Sequence, residues 1–589
     1  MNNPMFTDER NVQILLALLK AHGIRRVVAN PGTTNIPVLA GVQKDPFFSV
    51  HSAVDERHGA YLACGMSVAS GEPVVLSCTG ATASRNYLPA MTEAFYRKIP
   101  LLVVTSSQEA FRAGHLHAQM TDRSAPPPDS VRASFRVPPV RSDGDAARCK
   151  TTINQAILEL FRHGGGPVHV NLETNYKNTY TTEQLPTVSA ISRIDLSTKE
   201  WPALPDHAKI AVWIGSHKPF SENERAVMEH FISAHNAVVL TDHTGSYDGP
   251  RSILSSLVCS QSGTTASSKP LLRPDLIVHI GEISGDSPSI RFLTGIAPVW
   301  RVSPDGEIRN LLGRLERVFE MPETAFFRHY GQSSAVTAVG SFFEAWQTQD
   351  ASLREKIPAL PFSNVWIASR MASHLPKGSI IHFGILNSLR SWNYFPLPTG
   401  TAAFANVGGF GIDGCVSSLI GASLVHPDIL HFGIVGDLAF FYDFNALGNR
   451  HVGKNIRLML VNNGTGEEFN RNEHPGSRFG SQVNDFIAAG GHFGNKSRSL
   501  VKHFAEDLGL RYRVAEDKES FESALPEFLS DSGDSSILFE CFTKTADESE
   551  ALTTMCSLEP PETASPSARQ RIGRLVPGRV KNAVRELFK

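Results

Sequence analysis

Residues 431–469 read HFGIVGDLAFFYDFNALGNRHVGKNIRLMLVNNGTGEEF. Two short apolar runs, 429–435 and 456–461, are predicted strands. The first stops at Gly436-Asp437 and the second at Asn462-Asn463, with a helix expected from about residue 442. In a parallel sheet both strand C-termini fall on one edge, where ligands bind. Asp437 and Asn463 can therefore converge although 25 residues separate them. A carboxylate, an amide oxygen and nearby backbone carbonyls are hard oxygen ligands, suited to Mg²⁺ with waters and phosphate oxygens completing an octahedron. The helix N-terminus beside Gly436 adds N–H donors for the same phosphate. The plainer alternative is a turn aspartate and a strand-end asparagine pair.

The same alternation runs through the chain. Strands are expected at 26–29, 48–54, 73–78, 101–105 and 166–172, the last closing the first block. Residues 11–22 read as an amphipathic helix with Val12, Leu15, Leu16 and Leu19 on one face. A polar, proline-bearing stretch, 179–206, reads as a linker. Strands follow at 209–214, 237–240, 276–280 and 299–302, then a charged break at 346–360, then strands at 379–383, 429–435, 456–461 and 536–542. The expected fold is α/β: three doubly wound parallel-sheet domains over 1–178, 195–345 and 361–550. A basic tail follows at 557–589.

Composition narrows the class. Lys and Arg number 56 against 58 Asp and Glu, a net charge of −2, which speaks against a general nucleic-acid binder. No uncharged apolar run reaches about 18 residues, so no membrane span is expected. MNNPMFTDER carries no basic flank or apolar core, so secretion is not signalled. Seven scattered cysteines without a CxxC fit reduced thiols in a cytoplasmic protein. In the tail, residues 569–589 hold seven Lys and Arg and one acid, with apolar residues at helical spacing. Such a helix can lie on an anionic membrane surface, giving peripheral contact, or dock on its own protein.

Two further segments carry candidate chemistry. Asp55-Glu56-Arg57 follows a predicted strand and enters a helix with the small residues Ala60, Ala63 and Gly65. ANVGGFGIDGCVSSLIGASL, 405–424, contains a formal GxGxxG, 409–414, but lies far from a first βαβ unit and is weak evidence for a dinucleotide.

Together, Gly436-Asp437 with Asn462-Asn463, Asp55-Glu56-Arg57, GPVHVN at 166–171, Asn387-Ser388, Gly411-Ile412-Asp413-Gly414 and Tyr442-Asp443 resemble the thiamine diphosphate-dependent 2-oxoacid decarboxylases and carboligases. The resemblance covers about 1–550 and is nearest to the SEPHCHC-synthase branch of menaquinone biosynthesis. It implies a pyrimidine-binding, a central and a diphosphate-binding domain, in that order. It implies thiamine diphosphate and Mg²⁺ as cofactors, with no FAD expected. Asp437, Asn463 and the Thr465 carbonyl would hold the metal. Glu56 would hydrogen-bond N1′ of the aminopyrimidine and so activate C2. Ile412 would prop the cofactor in its bent form, and Asn86, Ser388, Gly411, Gly436 and Leu438 would complete its site. Gln119 matches a substrate-site glutamine of the family, and is carried over as catalytic with Glu56. A homodimer or homotetramer is implied, each site joining the first domain of one subunit to the third of another.

Departures from the pattern cluster where substrate binds. Leu438 stands for the usual Gly, Thr33-Thr34 for Ser-Arg, Gln108 falls where an Asp-Arg-Pro is common, Trp392 stands for an Arg with Arg390 off register, and Glu468-Phe469 for Ile-Phe. Three arginines that would grip carboxylates are missing or displaced. Thr33, His58, His115, His117, Arg390, Glu467 and Glu468 are the candidate polar groups of a changed pocket. The reading is a carboligase that decarboxylates a 2-oxo acid and transfers the acyl carbanion to an uncharged or hydroxylated acceptor, such as a keto-sugar. A simple decarboxylase giving an aldehyde, SEPHCHC synthase itself, and an inactive scaffold remain as alternatives.

Overall fold

The computed structural model describes residues 5–122, 125–176, 179–265, 268–332, 342–470, 474–493 and 496–559. The expected tail helix lies outside the described residues. Among the described residues nineteen strands form three sheets whose ladders run parallel. The first sheet contains β1 (Arg26–Ala29), β2 (Ser49–Ser52), β3 (Val74–Thr79), β4 (Leu101–Ser107), β5 (Ala133–Val137) and β6 (Val168–Glu173), in the order β2-β1-β3-β4-β6-β5. The second contains β7 (Ser192–Asp195), β8 (Ile210–Ile214), β9 (Val238–Thr241), β10 (Ser252–Leu254), β11 (Leu276–Ile280), β12 (Val299–Ser303) and β13 (Leu315–Glu320), in the order β10-β9-β8-β11-β12-β13-β7. The third contains β14 (Ile380–Phe383), β15 (Ala402–Ala405), β16 (His431–Gly436), β17 (Ile456–Asn462), β18 (Arg511–Ala515) and β19 (Ile537–Phe542), in the order β15-β14-β16-β17-β19-β18. Among the described residues no helix is long and apolar enough to cross a membrane.

By compactness the chain divides into Met1–Trp201 with Val299–Met321, and Pro202–Pro298 with Pro322–Lys589. In the first unit, Val27, Val75, Leu102, Val104, Val168 and Val170 pack beneath helices Arg10–Ala21 and Asp143–Glu159. Central strands buried on both faces explain the continuous apolar runs. In the second unit, Ile456, Leu458 and Leu460 pack against Leu419 and Phe440.

Four expectations need correction. The first helix, Arg10–Ala21, is buried almost all round, not on one stripe: Asn11 donates to the Glu173 carbonyl at 2.7 Å and Gln13 to the Thr7 carbonyl at 2.7 Å. Its polar positions are absorbed by backbone acceptors. The 179–206 stretch is not all linker, since Ser192–Asp195 adds an edge strand. The charged break at 346–360 is mostly helix Phe342–Glu355, with Phe342, Trp346 and Leu353 inward and the charges on the other face. Val168–Glu173 closes the first block in chain order only, because Ala133–Val137 takes the sheet edge.

Candidate active site

In a parallel sheet every strand's C-terminus points to one edge. In the third sheet that edge gathers four loops. Gly384 to Ser388 follows β14, residues 406–414 follow β15, Asp437 follows β16, and residues 463–468 follow β17. β16 and β17 are neighbours, with Gly436 opposite Val461. The helix after β16 is Asp437–Asp443, not one starting near 442: Gly436 is its N-cap and Asp437 its first residue. Leu438, Ala439, Phe440 and Phe441 continue it because Ala439, Phe440 and Phe441 bury against β16 and β17.

Asp437 is 6% exposed. Its carboxylate accepts from the Leu438 N–H at 3.0 Å and is reached by the Gly464 N–H from the loop after β17. Burial nonetheless pushes its pKa up to about 7. No cation pairs with it among the described residues. A buried carboxylate of this kind needs a cation or further hydrogen bonds to stay charged. Asn463 Oδ1 accepts from the Thr465 N–H at 3.1 Å, curling the loop, and Gly464 takes a left-handed φ of 82° that suits glycine. Asp437 and the Asn463–Thr465 loop thus share one corner of the sheet edge, joined through the Gly464 N–H. That donor set fits Mg²⁺ with diphosphate, and no group of three His, Cys, Asp or Glu forms a rival cluster among the described residues.

The other candidates on this edge are placed as follows. Ser388 is buried on the short helix Asn387–Trp392, and the preceding Asn387 donates to Glu548 at 3.4 Å. Ile412 is half-buried against the Cys415–Val425 helix core, beside Gly411. Arg390 donates to both carboxylate oxygens of Glu468, at 2.7 and 3.3 Å. Glu467 is buried and accepts from Ser549 at 2.6 Å.

In the first sheet the C-terminal edge carries the remaining candidates. Thr33 follows β1, Glu56 follows β2, Asn86 follows β3, and His115, His117 and Gln119 follow β4. Asp55 caps helix Glu56–Ser70 by accepting from the His58 N–H at 3.1 Å. Glu56 is half-buried in the first turn, and Thr33, His58, Asn86, His115, His117 and Gln119 are exposed. Gly59 lets the helix start touch Asn30, since a Cβ there would stand 2.6 Å from Asn30 Oδ1. Asn30 in turn donates to the Ala53 carbonyl at 2.7 Å and accepts from the Tyr87 hydroxyl at 2.7 Å.

One positioning group, and one pairing of residues already singled out, went unread in the sequence. Glu540, buried in β19, accepts from Asn462 and from the Tyr512 hydroxyl, both at 2.8 Å, and so fixes the strand end that leads into Asn463. Its signal is a lone acid inside the apolar run ILFECF. The Arg390–Glu468 pair had no such signal, because 78 residues separate the partners.

The chain is similar to known proteins over most of its length. Residues 10–125 match the family described as thiamine pyrophosphate enzyme, N-terminal TPP binding domain. The 2-succinyl-5-enolpyruvyl-6-hydroxy-3-cyclohexene-1-carboxylate synthase of Bacteroides fragilis is 28% identical over 535 residues, covering 89% of this chain and 94% of its own. That of Phocaeicola vulgatus is 29% identical over 538 residues, with the same shares covered. Among solved structures, the Rhodococcus jostii RHA1 thiamine diphosphate-dependent 4-hydroxybenzoylformate decarboxylase aligns over 91% of this chain and 99% of its own, at 18% identity and a TM-score of 0.39. A superposition that loose carries no argument about fold or chemistry.

Proposed function

The chain is a relative of the thiamine pyrophosphate-dependent enzymes, and from that premise we propose that it decarboxylates a 2-oxo acid and joins the remaining acyl carbon to an acceptor. When bound, thiamine diphosphate supplies the electron sink for the pair released as CO₂ leaves. The protein's residues do the rest. Asp437, Asn463 and the Thr465 carbonyl would hold Mg²⁺. The N–H groups at the start of helix Asp437–Asp443, with Ser388, Gly411 and Leu438, would receive the diphosphate. Ile412 would prop the rings, Asn86 would help seat the cofactor, and Glu56 would hold a proton at N1′ of the aminopyrimidine. Gln119, Thr33, His58 and His115 would face the substrate. The observation that carries this reading is the buried, cation-free Asp437 carboxylate joined to the loop after β17.

The acceptor we propose is uncharged at its reacting end, in keeping with a hydroxylated carbonyl compound such as a keto-sugar. Arg390 is engaged by Glu468 and so is not free to grip a substrate carboxylate at the sheet edge. We further propose a cytoplasmic homodimer or homotetramer whose sites pair Glu56 of one subunit with Asp437 of another. Supporting it, helix Glu56–Ser70 leaves Tyr61 and Val68 exposed at 46% and 53%, with Val54 before it at 83%. In the second unit, helix Cys415–Val425 leaves Leu424 and Val425 exposed at 46% and 71%. Apolar helix faces of this kind mark surfaces a partner covers.

The test is CO₂ release from a panel of 2-oxo acids with thiamine diphosphate and Mg²⁺, beside Glu56→Gln. Release that needs Glu56 supports the class and names the donor. An aldehyde as sole product, whatever acceptor is supplied, would reduce the reading to simple decarboxylation.

A further inference from the structure

A pocket of about 450 Å³ opens in the second unit, walled by helices Ser255–Cys259, Ser287–Leu293 and Thr545–Met555 and by residues 260–265. Hydroxyls dominate its lining, among them Ser260, Thr264, Thr294, Ser549 and Thr553. Arg291 is the one charged residue in that lining, and its guanidinium has no ion pair or hydrogen bond among the described residues. Thr264 is 6% exposed, and its hydroxyl likewise has no partner among the described residues. A second pocket, about 210 Å³, shares Ser260, Arg291 and Cys556 with the first and extends to Arg390, Glu468 and His474. Glu468 stands three residues beyond Thr465. The two pockets adjoin at Ser260, Arg291 and Cys556, and this path reaches Glu468 in the segment after β17.

We propose that this path binds the acceptor, and that the acceptor is a sugar-like polyol bearing a phosphate or carboxylate at its far end. The inference rests on the carboligase reading above and names its second substrate by class. A guanidinium with no carboxylate beside it pairs with phosphate or carboxylate through two parallel hydrogen bonds. The Thr264 and Thr553 hydroxyls can both donate and accept, while Ser260, Thr294 and Ser549 give their protons to the Leu257 carbonyl, the Ile290 carbonyl and Glu467 and offer lone pairs to the hydroxyls of a polyol. Phe292, Ile296 and Leu552 offer the apolar surface that a sugar's C–H face covers. The volume lies within the roughly 300–1,000 Å³ of small-molecule sites. Because Glu468 occupies Arg390, the anionic end is drawn to Arg291 and the uncharged end is left at the sheet edge.

Cys556 makes the test direct. It is half-buried and lines both pockets, whereas the other six cysteines are buried. The rate of its alkylation by N-ethylmaleimide is measured on the full chain with D-ribose 5-phosphate, D-gluconate, D-ribose or inorganic phosphate, and Cys556→Ser identifies the labelled site. The proposal expects ribose 5-phosphate or gluconate to slow alkylation by about fivefold or more, ribose and phosphate alone to leave it unchanged, and Arg291→Gln to abolish the protection while thiamine diphosphate affinity is kept. Protection by none of the four, equal protection by inorganic phosphate, or protection that survives Arg291→Gln would overturn it. Alkylation needs no turnover, so its failure is distinct from a failure of CO₂ release. Protection without any ligation product from the same sugar overturns the acceptor role.

Discussion

The first and third sheets share one topology: in each the strands lie in the order second, first, third, fourth, sixth, fifth. Their edges are furnished differently. In the first sheet the buried carboxylate, Glu173, is paired with Arg136, and the candidate acid Glu56 sits half-exposed at a helix start. In the third, Asp437 and Glu548 are buried with no cationic partner among the described residues. Burial favours the neutral acid unless a cation or hydrogen bonds hold the charge. Topology therefore places residues on an edge, and the local partners decide how each carboxylate there is held.

The strongest way to break this contrast is to exchange the losses. Glu56→Gln is expected to cut CO₂ release by about 10²–10⁴-fold, the span of general acid–base contributions, while cofactor affinity changes little. Asp437→Ala is expected to weaken thiamine diphosphate binding in Mg²⁺ by about 10²-fold or more, since even the outer-shell partners of a metal carry about 10–100-fold. Titration calorimetry beside the CO₂ assay reads both, and equal loss of binding in the two variants would erase the division. Mixing the two inactive variants sharpens it. If sites span subunits, co-refolded mixtures regain activity toward about a quarter of the native value, since half the chains form mixed dimers with one intact site. No recovery would place both groups on the same subunit.

Packing gives a smaller effect. Gly59→Ala drives a Cβ to 2.6 Å from Asn30 Oδ1, and Gly433→Ala drives one to 2.6 Å from Leu419 Cδ2. Each is expected to cost about 1–3 kcal/mol in denaturant unfolding. Gly65→Ala, on the same helix as Gly59 with nothing within 4 Å, should be neutral or stabilising by up to about 1 kcal/mol.

The mildest test is of pH. Burial, with neighbouring Asp547, pushes the Glu548 pKa from 4.5 up to about 7. An acid whose folded pKa is raised gives stability that is present below its unfolded pKa and lost as pH rises through the folded one. Between about pH 4.5 and pH 7 the native chain therefore loses stability on this account, and above that window the loss is constant. Glu548→Gln should flatten the curve, gaining about 3 kcal/mol more at high pH than at low. An unchanged pH profile would show Glu548 already relieved by its hydrogen bonds to the Asn364 N–H and Asn387.

Most strands were legible because buried parallel strands are unbroken apolar runs ended by Gly, Asp or Asn. Leu276–Ile280 falls where it is expected, and Ile456–Asn462 extends one residue beyond. Edge strands such as Ser192–Asp195 escaped, being short and half-polar, and helix Phe342–Glu355 was masked by its charged outer face. At the site, Asp437 and Asn463 were readable because strand ends carry their own punctuation. The helix start was missed because no loop residue intervenes after Gly436. Arg390 with Glu468, and Arg291 with its hydroxyl wall, come from distant stretches that only folding brings together.

That absent loop sets how this edge can vary. Asp437 ends a strand's path and begins a helix in the same step. One residue inserted after Gly436 would turn the carboxylate by about 100° around the helix axis, away from Gly464. The stretch 406–414 can change length and keep its place on the edge, because a loop absorbs the slack. The Gly436–Asp437 junction has no slack, so a change of length there moves the carboxylate itself while the other loops can lengthen around it.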